Sequence, residues 1–206
     1  MNKKGLFITF EGVEGSGKTT QINLLSSYFK EQGKDVTVTL EPGGSSLGKT
    51  LRKMLLNKNQ VFHNLKTELL LFYADRCEHI SEIIEPALQK NHVVICDRYI
   101  DSSYAYQAGG RQLKKLWINN LNSMIEKTPD LTFLLDLPVE IGLKRAEKRA
   151  NLDRFEKESL QFHNRVRNGF LEISKTNSRI KIINANNKHP QEISIEIQQY
   201  LKELDI

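Results

Sequence analysis

Gly12-Val13-Glu14-Gly15-Ser16-Gly17-Lys18-Thr19 is a glycine, four free positions and then Gly-Lys-Thr, the spacing of a loop that wraps a polyphosphate. Its flanks agree. Leu6-Phe7-Ile8-Thr9-Phe10 before it is rich in β-branched and aromatic residues and reads as a buried strand. After it, Thr20-Gln21-Ile22-Asn23-Leu24-Leu25 takes on helical apolar spacing. Strand, loop and helix in that order are the context the pattern requires. Gly12, Gly15 and Gly17 let the backbone bend and come close to an anion. Through Val13, Glu14, Ser16 and Gly17 the loop N–H groups, with the helix N-terminus, face that charge. Lys18 is placed to neutralise the terminal phosphates and the Thr19 hydroxyl to ligate magnesium, so ATP and Mg2+ are the expected cofactors.

Working outward, Asp35-Val36-Thr37-Val38-Thr39-Leu40 reads as a second strand, followed by the loop Glu41-Pro42-Gly43-Gly44-Ser45. Residues 65–80 carry a long helical pattern in which Leu65, Leu69, Phe72 and Tyr73 share a face that Arg76 continues. A shorter helix runs to about Gln89, with Pro86 as a kink or a boundary. His92-Val93-Val94-Ile95-Cys96 is a third strand, almost continuously apolar, ending in Asp97-Arg98-Tyr99. Leu131-Thr132-Phe133-Leu134-Leu135 and Arg179-Ile180-Lys181-Ile182-Ile183 are two more, and a last helix covers residues 191–204. Strands alternating with helices predict an α/β fold, a parallel sheet covered on both faces, in one domain over residues 1–206. Ligands on such sheets bind outside the carboxyl ends of the strands. That brings the glycine loop, Glu41-Pro42-Gly43-Gly44 and Asp97-Arg98-Tyr99 to one edge.

The residue types at that edge suggest roles. Asp97 holds magnesium directly or through water, or else forms an ion pair with a neighbouring arginine. Arg98 clamps a second phosphate bidentately. Glu14 sits beside phosphates, where a carboxylate is repelled unless a cation intervenes. It therefore anchors magnesium-bound water or an arginine arriving from the basic arm at residues 144–167. Phe72 and Arg76 lie four apart on one helix face. A ring beside a guanidinium fork suits a nucleobase, although the pair alone reads more readily as a core Phe and a surface Arg.

Composition sets outer bounds. The 206 residues are 39% hydrophobic, enough for an ordinary core. The first apolar run stops at Glu11, too soon for a signal peptide, and none is long enough to span a bilayer. A cytoplasmic protein without a membrane partner is expected. Cys77 and Cys96 make neither a disulfide framework nor a zinc site. The five histidines show no ligand spacing and are expected at the surface. The net charge of +5 raises nucleic-acid binding. However, residues 144–167 concentrate eight basic and four acidic groups. Such an arm suits a small polyanion such as ATP, or is simply a solvated face. No nucleic-acid partner is expected.

Over nearly its whole length the chain resembles thymidylate kinases, which phosphorylate dTMP. The likeness rests on F-I-T-F-E-G-V-E-G-S-G-K-T-T at the start, E-P-G-G after the second strand and L-L-F-Y-A-D-R at 70–76. It continues with C-D-R-Y-I-D-S-S-Y-A-Y-Q at 96–107 and G-L-K-R-A-E-K-R-A-N-L-D-R-F-E at 142–156. The resemblance implies a three-layer P-loop nucleoside-monophosphate-kinase fold with a five-stranded parallel sheet. It also implies a homodimer joined through helices beside the sheet. Phe72 would stack on thymine and Arg76 would bond its O4. Ser103 and Gln107 would meet the base edge, Tyr106 would lie under the deoxyribose, and Glu41 would belong to the same acceptor pocket. Arg98 would hold the acceptor phosphate, while Asp97 and Glu14 organise the magnesium shell. An acidic residue at position 14 resembles the bacterial subtype whose lid, here about 142–156, supplies the catalytic arginine. Arg145, Arg149 and Arg154 are its candidates. Arg149 and Arg154 are favoured because they flank the turn Ala150-Asn151-Leu152-Asp153, with Arg145 on ATP. The arginine that most members carry before E-P-G-G is Leu40 here, and Arg52 is a candidate to replace it. A kinase of other base specificity and a P-loop regulatory ATPase are the alternatives.

Overall fold

The computed structural model describes residues 5–148 and 153–204. Its five strands are β1 (Leu6–Glu11), β2 (Val36–Leu40), β3 (Val93–Asp97), β4 (Leu131–Asp136) and β5 (Ile180–Asn184). They form one parallel sheet in the order β2-β3-β1-β4-β5. In register, Ile8 lies beside Ile95 and Leu131, and Phe10 beside Asp97 and Phe133. The chain winds from β1 out to β2, back through β3, and then to the other side of β1. The direction of winding thus reverses at β1, whose carboxyl end opens a crevice.

The helices are α1 (Lys18–Glu31), α2 (Ser46–Leu56), α3 (Leu65–His79), α4 (Glu85–Gln89), α5 (Ile100–Ser103), α6 (Lys115–Asn122), α7 (Val139–Glu147), α8 (Leu160–Ser174) and α9 (Pro190–Glu203). The period-2 alternation of β1 sends its side chains to opposite layers. Ile8 and Phe10 pack with Ile22, Leu25 and Phe29 of α1 and Ile193, Ile197 and Leu201 of α9. Phe7 packs on the other face with Val94, Tyr99 and Ile84. Because both faces are covered, β1, β3 and β4 are apolar almost throughout.

Two helical stretches are less regular than expected. α3 passes into a π-helical turn, Ile80–Ile84, before α4. Pro86 then stands in the first turn of α4, where its missing N–H is harmless. α5 likewise runs into a π-helical segment, Tyr104–Gly110. Such turns recur at functional sites, and this one carries Tyr106 and Gln107.

The expectation that the histidines lie at the surface fails for two of them. His79 and His163 are fully buried. His79 has polar partners on both ring nitrogens, which removes the cost of burying it. His163 packs edge-on to Phe162. Burial lowers its pKa, so it stays an uncharged ring among aromatics.

Candidate active site

A cavity of about 580 Å³ runs along the carboxyl edge of the sheet. Residues 14–19 form its floor, with Asp97 and Arg98 beside them. Gly17, at φ 97°, is the residue before α1, a left-handed conformation that glycine adopts without strain. The loop is also pressed against α7. A Cβ on Gly15 would stand 2.0 Å from the carbonyl oxygen of Gly142, and one on Gly142 2.2 Å from that of Glu14. Lys18 is buried and folds back over the loop. Its Nζ donates to the carbonyls of Gly12 and Val13, both at 3.2 Å, and to Ser16 Oγ at 3.4 Å. Burial and Arg98 lower its pKa against the opposing pull of Asp97, Glu14 and Glu11.

Beside the loop, Arg98 adopts φ 70°, a conformation that costs a non-glycine residue about 1–3 kcal/mol and persists only where its surroundings impose it. They do. Arg98 N donates to Phe10 O at 3.0 Å, Cys96 Sγ donates to Arg98 O at 3.0 Å, and Tyr99 N donates to Glu11 Oε1 at 2.8 Å. Glu11 also takes the Ser102 hydroxyl on Oε2 at 2.6 Å. The turn therefore aims the guanidinium at the glycine loop. Nη2 donates to Glu14 Oε1 at 2.6 Å and Nη1 to Gly12 O at 2.9 Å. The Tyr106 hydroxyl donates to the same Glu14 oxygen at 2.8 Å. Burial alone would raise the Glu14 carboxyl, but Arg98, Lys18 and this hydroxyl outweigh it and hold it at about 2. Glu14 is thus an ionised anchor for an arginine, and the arginine comes from β3 rather than from the basic arm.

The same cavity is lined from α3 by Phe72 and Arg76, four residues apart on one helix face. Arg76 is 1% exposed. Its Nε donates to Glu41 Oε2 at 2.8 Å, Nη1 to Ser103 Oγ at 3.1 Å and Nη2 to Tyr99 O at 3.0 Å. Ser103, Tyr106 and Gln107 line it too. The Gln107 amide donates to buried Glu68 at 3.2 Å. Glu41 lines the cavity too, but both its oxygens are engaged, Oε2 by Arg76 and Oε1 by His79. Its place is behind the arginine. Arg52 and Leu40 complete the wall, and Arg52 Nη1 donates to Pro42 O at 2.6 Å.

The site fits a magnesium nucleotide. Asp97 and Thr19 both line the cavity, and Asp97 Oδ1 is buried without a hydrogen-bond partner among the described residues. One carboxylate and one hydroxyl are hard oxygen donors, the set that Mg2+ shares with phosphates and water. Among the described residues no group of three His, Cys, Asp or Glu could hold a metal without such outside ligands.

A family model described as thymidylate kinase matches residues 10–197. The chain belongs to the thymidylate kinase family. It is 48% identical over 204 residues to the thymidylate kinase of Maridesulfovibrio salexigens, covering 94% of this chain and 93% of that one. Identity to the thymidylate kinase of Trichodesmium erythraeum is 45% over 219 residues, 97% of each chain. The crystal structure of thymidylate kinase from Ehrlichia chaffeensis superposes with a TM-score of 0.80 at 36% identity, covering 97% of this chain and 99% of that one.

Within this thymidylate kinase fold the basic arm divides. Arg145 on α7 lines the cavity, together with Asp153, Phe155 and Glu156. Arg149 lies outside the described residues. Arg154 is drawn away from the cavity: Nη1 donates to Glu68 Oε2 at 2.6 Å and Nε to Leu55 O at 2.9 Å. Its guanidinium lies 4.5 Å from the Phe155 ring centroid and 5.0 Å from that of Phe62. The reason is Glu68, a wholly buried carboxylate that also takes Arg111 and Gln107 and needs cations.

Three features escaped the sequence reading. The lining also includes Gln21 and, after β5, Ala185 and Lys188 of the loop and Pro190 and Ile193 of α9. Applying the strand-end rule to the fifth strand as well as to the first three would have found it. Glu11 and His79 gave no signal, since a carboxylate closing a strand and a histidine on a helix have many ordinary uses.

Proposed function

We propose that the chain phosphorylates dTMP to dTDP with ATP and magnesium. One observation carries the reading: the phosphate loop and the Phe72–Arg76 pair line the same cavity, which Arg98, bonded to Glu14 of the loop, lines as well. A regulatory ATPase has no use for that pair. Phe72 supplies a face for stacking. Arg76 offers only donors, which match the carbonyl at the 4-position of thymine and not the amino group of cytosine. Arg98 holds the acceptor phosphate, and Tyr106 lies under a sugar placed between base and phosphate. Lys18 meets charge building on the transferred phosphoryl group, and Arg145 or Arg149 approaches from the lid. Magnesium held at Thr19 and Asp97 would neutralise phosphate oxygens and keep donor and acceptor in line.

The test is release of ADP against a panel of dTMP, dUMP, dCMP, dGMP and dAMP. Turnover should be highest with dTMP. Equal use of dCMP, or hydrolysis of ATP without an acceptor, overturns the reading.

We further infer a cytoplasmic homodimer. Among the described residues no helix is long and apolar enough to cross a membrane. Exposed Leu47, Met54, Leu70 and Leu116 on α2, α3 and α6 offer an apolar face. Light scattering at micromolar concentration should give twice the 23.7 kDa chain mass, and a monomer removes that inference.

A further inference from the structure

The base-reading arginine does not stand alone. Behind it runs a buried chain of polar groups that the reaction does not touch. Arg76 Nε donates to Glu41 Oε2 at 2.8 Å, Glu41 Oε1 lies 3.0 Å from His79 Nδ1, and His79 Nε2 lies 2.6 Å from Thr39 Oγ1. Glu41, Arg76, His79 and Thr39 are all buried. A carboxylate only accepts, so Nδ1 carries the proton and donates to Glu41. Nε2 and the Thr39 hydroxyl share the second hydrogen bond, since a hydroxyl can either donate or accept. Both Glu41 oxygens and both His79 ring nitrogens have a partner of suitable polarity, a condition under which a buried network specifies one geometry.

The slot for the ring is equally specific. A Cβ on Gly44 would stand 2.2 Å from His79 Nε2 and 2.7 Å from Thr39 Oγ1. The second glycine of Glu41-Pro42-Gly43-Gly44 is therefore a wall of the imidazole pocket. The loop that supplies Glu41 also admits the histidine that orients it.

We propose that His79 is a positioning residue for base selection. It fixes the Glu41 carboxylate, which fixes the Arg76 guanidinium, so that free N–H bonds meet the 4-position acceptor of the base. Each terminal nitrogen of Arg76 has two N–H bonds and spends one, on Ser103 or on Tyr99 O. The remainder are those a base can meet. Without His79, Glu41 keeps one partner and can turn, and Arg76 turns with it. The inference rests on the dTMP reading above.

The experiment compares wild type, His79→Met and His79→Asn, with kcat/KM measured for dTMP and dCMP and KM for ATP. Methionine fills the slot without a donor. Asparagine retains an N–H near the Nδ1 position. His79→Met should narrow the preference for dTMP over dCMP about tenfold, the scale of one lost hydrogen bond to a charged group, with KM for ATP unchanged. His79→Asn should keep most of the preference. A ratio unchanged in His79→Met, or equal losses with both nucleotides and with ATP, overturns the proposal. A wild type that does not prefer dTMP fails the functional reading instead. Should His79→Met not fold, nitrogen NMR of the wild type decides. Nδ1 must carry a proton, and the ring resonances must move on adding dTMP but not ATP. An Nε2–H tautomer, or signals unmoved at saturating dTMP, overturns it.

Discussion

Glu14 and Arg98 meet at 2.6 Å across the floor of the cavity, one from the glycine loop and one from the end of β3. The contact ties the end of β3 to the glycine loop, and the same guanidinium also reaches Gly12 O. On the proposed role of Arg98 as the acceptor-phosphate clamp, its side chain is held in place beforehand, and its strained backbone is fixed by three independent bonds. Preorganisation of this kind lowers the barrier by sparing reorganisation during transfer.

Lys18→Ala should abolish phosphoryl transfer while leaving the thermal melt close to wild type. Among the described residues the hydrogen bonds of Lys18 Nζ stay within its own loop, and Lys18 is not part of the apolar clusters of the core. Turnover and a melt on the same preparation check this. Activity within about tenfold of wild type, only about 1.4 kcal/mol in barrier, overturns it.

Arg154 and Arg145 should separate stability from turnover. Arg154→Ala leaves Glu68 with Arg111 and Gln107, a partly uncompensated buried charge costing about 1–3 kcal/mol. Its melting temperature should fall while kcat at saturating substrates holds. Arg145→Ala should lower kcat with little change in the melt. The reverse pattern would return Arg154 to the transfer site.

Tyr106 combines two roles that substitution separates. Its ring packs against Phe155, Phe162 and Phe170, while its hydroxyl holds Glu14. Tyr106→Phe should preserve the preference for dTMP over ribo-TMP but lower kcat by releasing Glu14. Tyr106→Ala should erode the preference and cost about 3–5 kcal/mol of stability through the cavity it leaves. An unchanged sugar ratio in Tyr106→Ala means that another group excludes the 2′-hydroxyl.

Glu11 should make stability depend on pH in an unusual direction. Burial and the nearby Asp101 push its carboxyl up to about 8 from an ordinary 4.5, against Arg98 and the bonds from Ser102 and Tyr99. Between those values the folded chain holds a proton that the unfolded chain has released. Stability from this group is therefore full below about 4.5 and falls as pH rises through about 8. Glu11→Gln keeps an acceptor for Tyr99 N and Ser102 N but does not titrate. The melting temperature of Glu11→Gln relative to wild type should therefore rise between about pH 5 and pH 9. Parallel melting curves across that range count against it.

Much of this site was legible in the chain itself. The Gly12–Thr19 spacing, the apolar runs and the polar residues ending them are local patterns, and local patterns survive in one dimension. They yielded the α/β fold, the edge where ligands bind, and the Phe72–Arg76 pair four residues apart. Which charge meets which is not local. Glu14 faces Arg98 across 84 residues, Arg154 faces Glu68 across 86, and His79 reaches Glu41 and Thr39 across 38 and 40. A buried carboxylate takes whichever cation the packing delivers. Composition therefore counted the arginines of the basic arm, but only the tertiary structure decided that Arg154 braces α3 while Arg145 faces the cavity. For the same reason the burial of His79 was decided in three dimensions. Its cost is cancelled by partners on two other segments, and no property of residue 79 or its neighbours along the chain announces them.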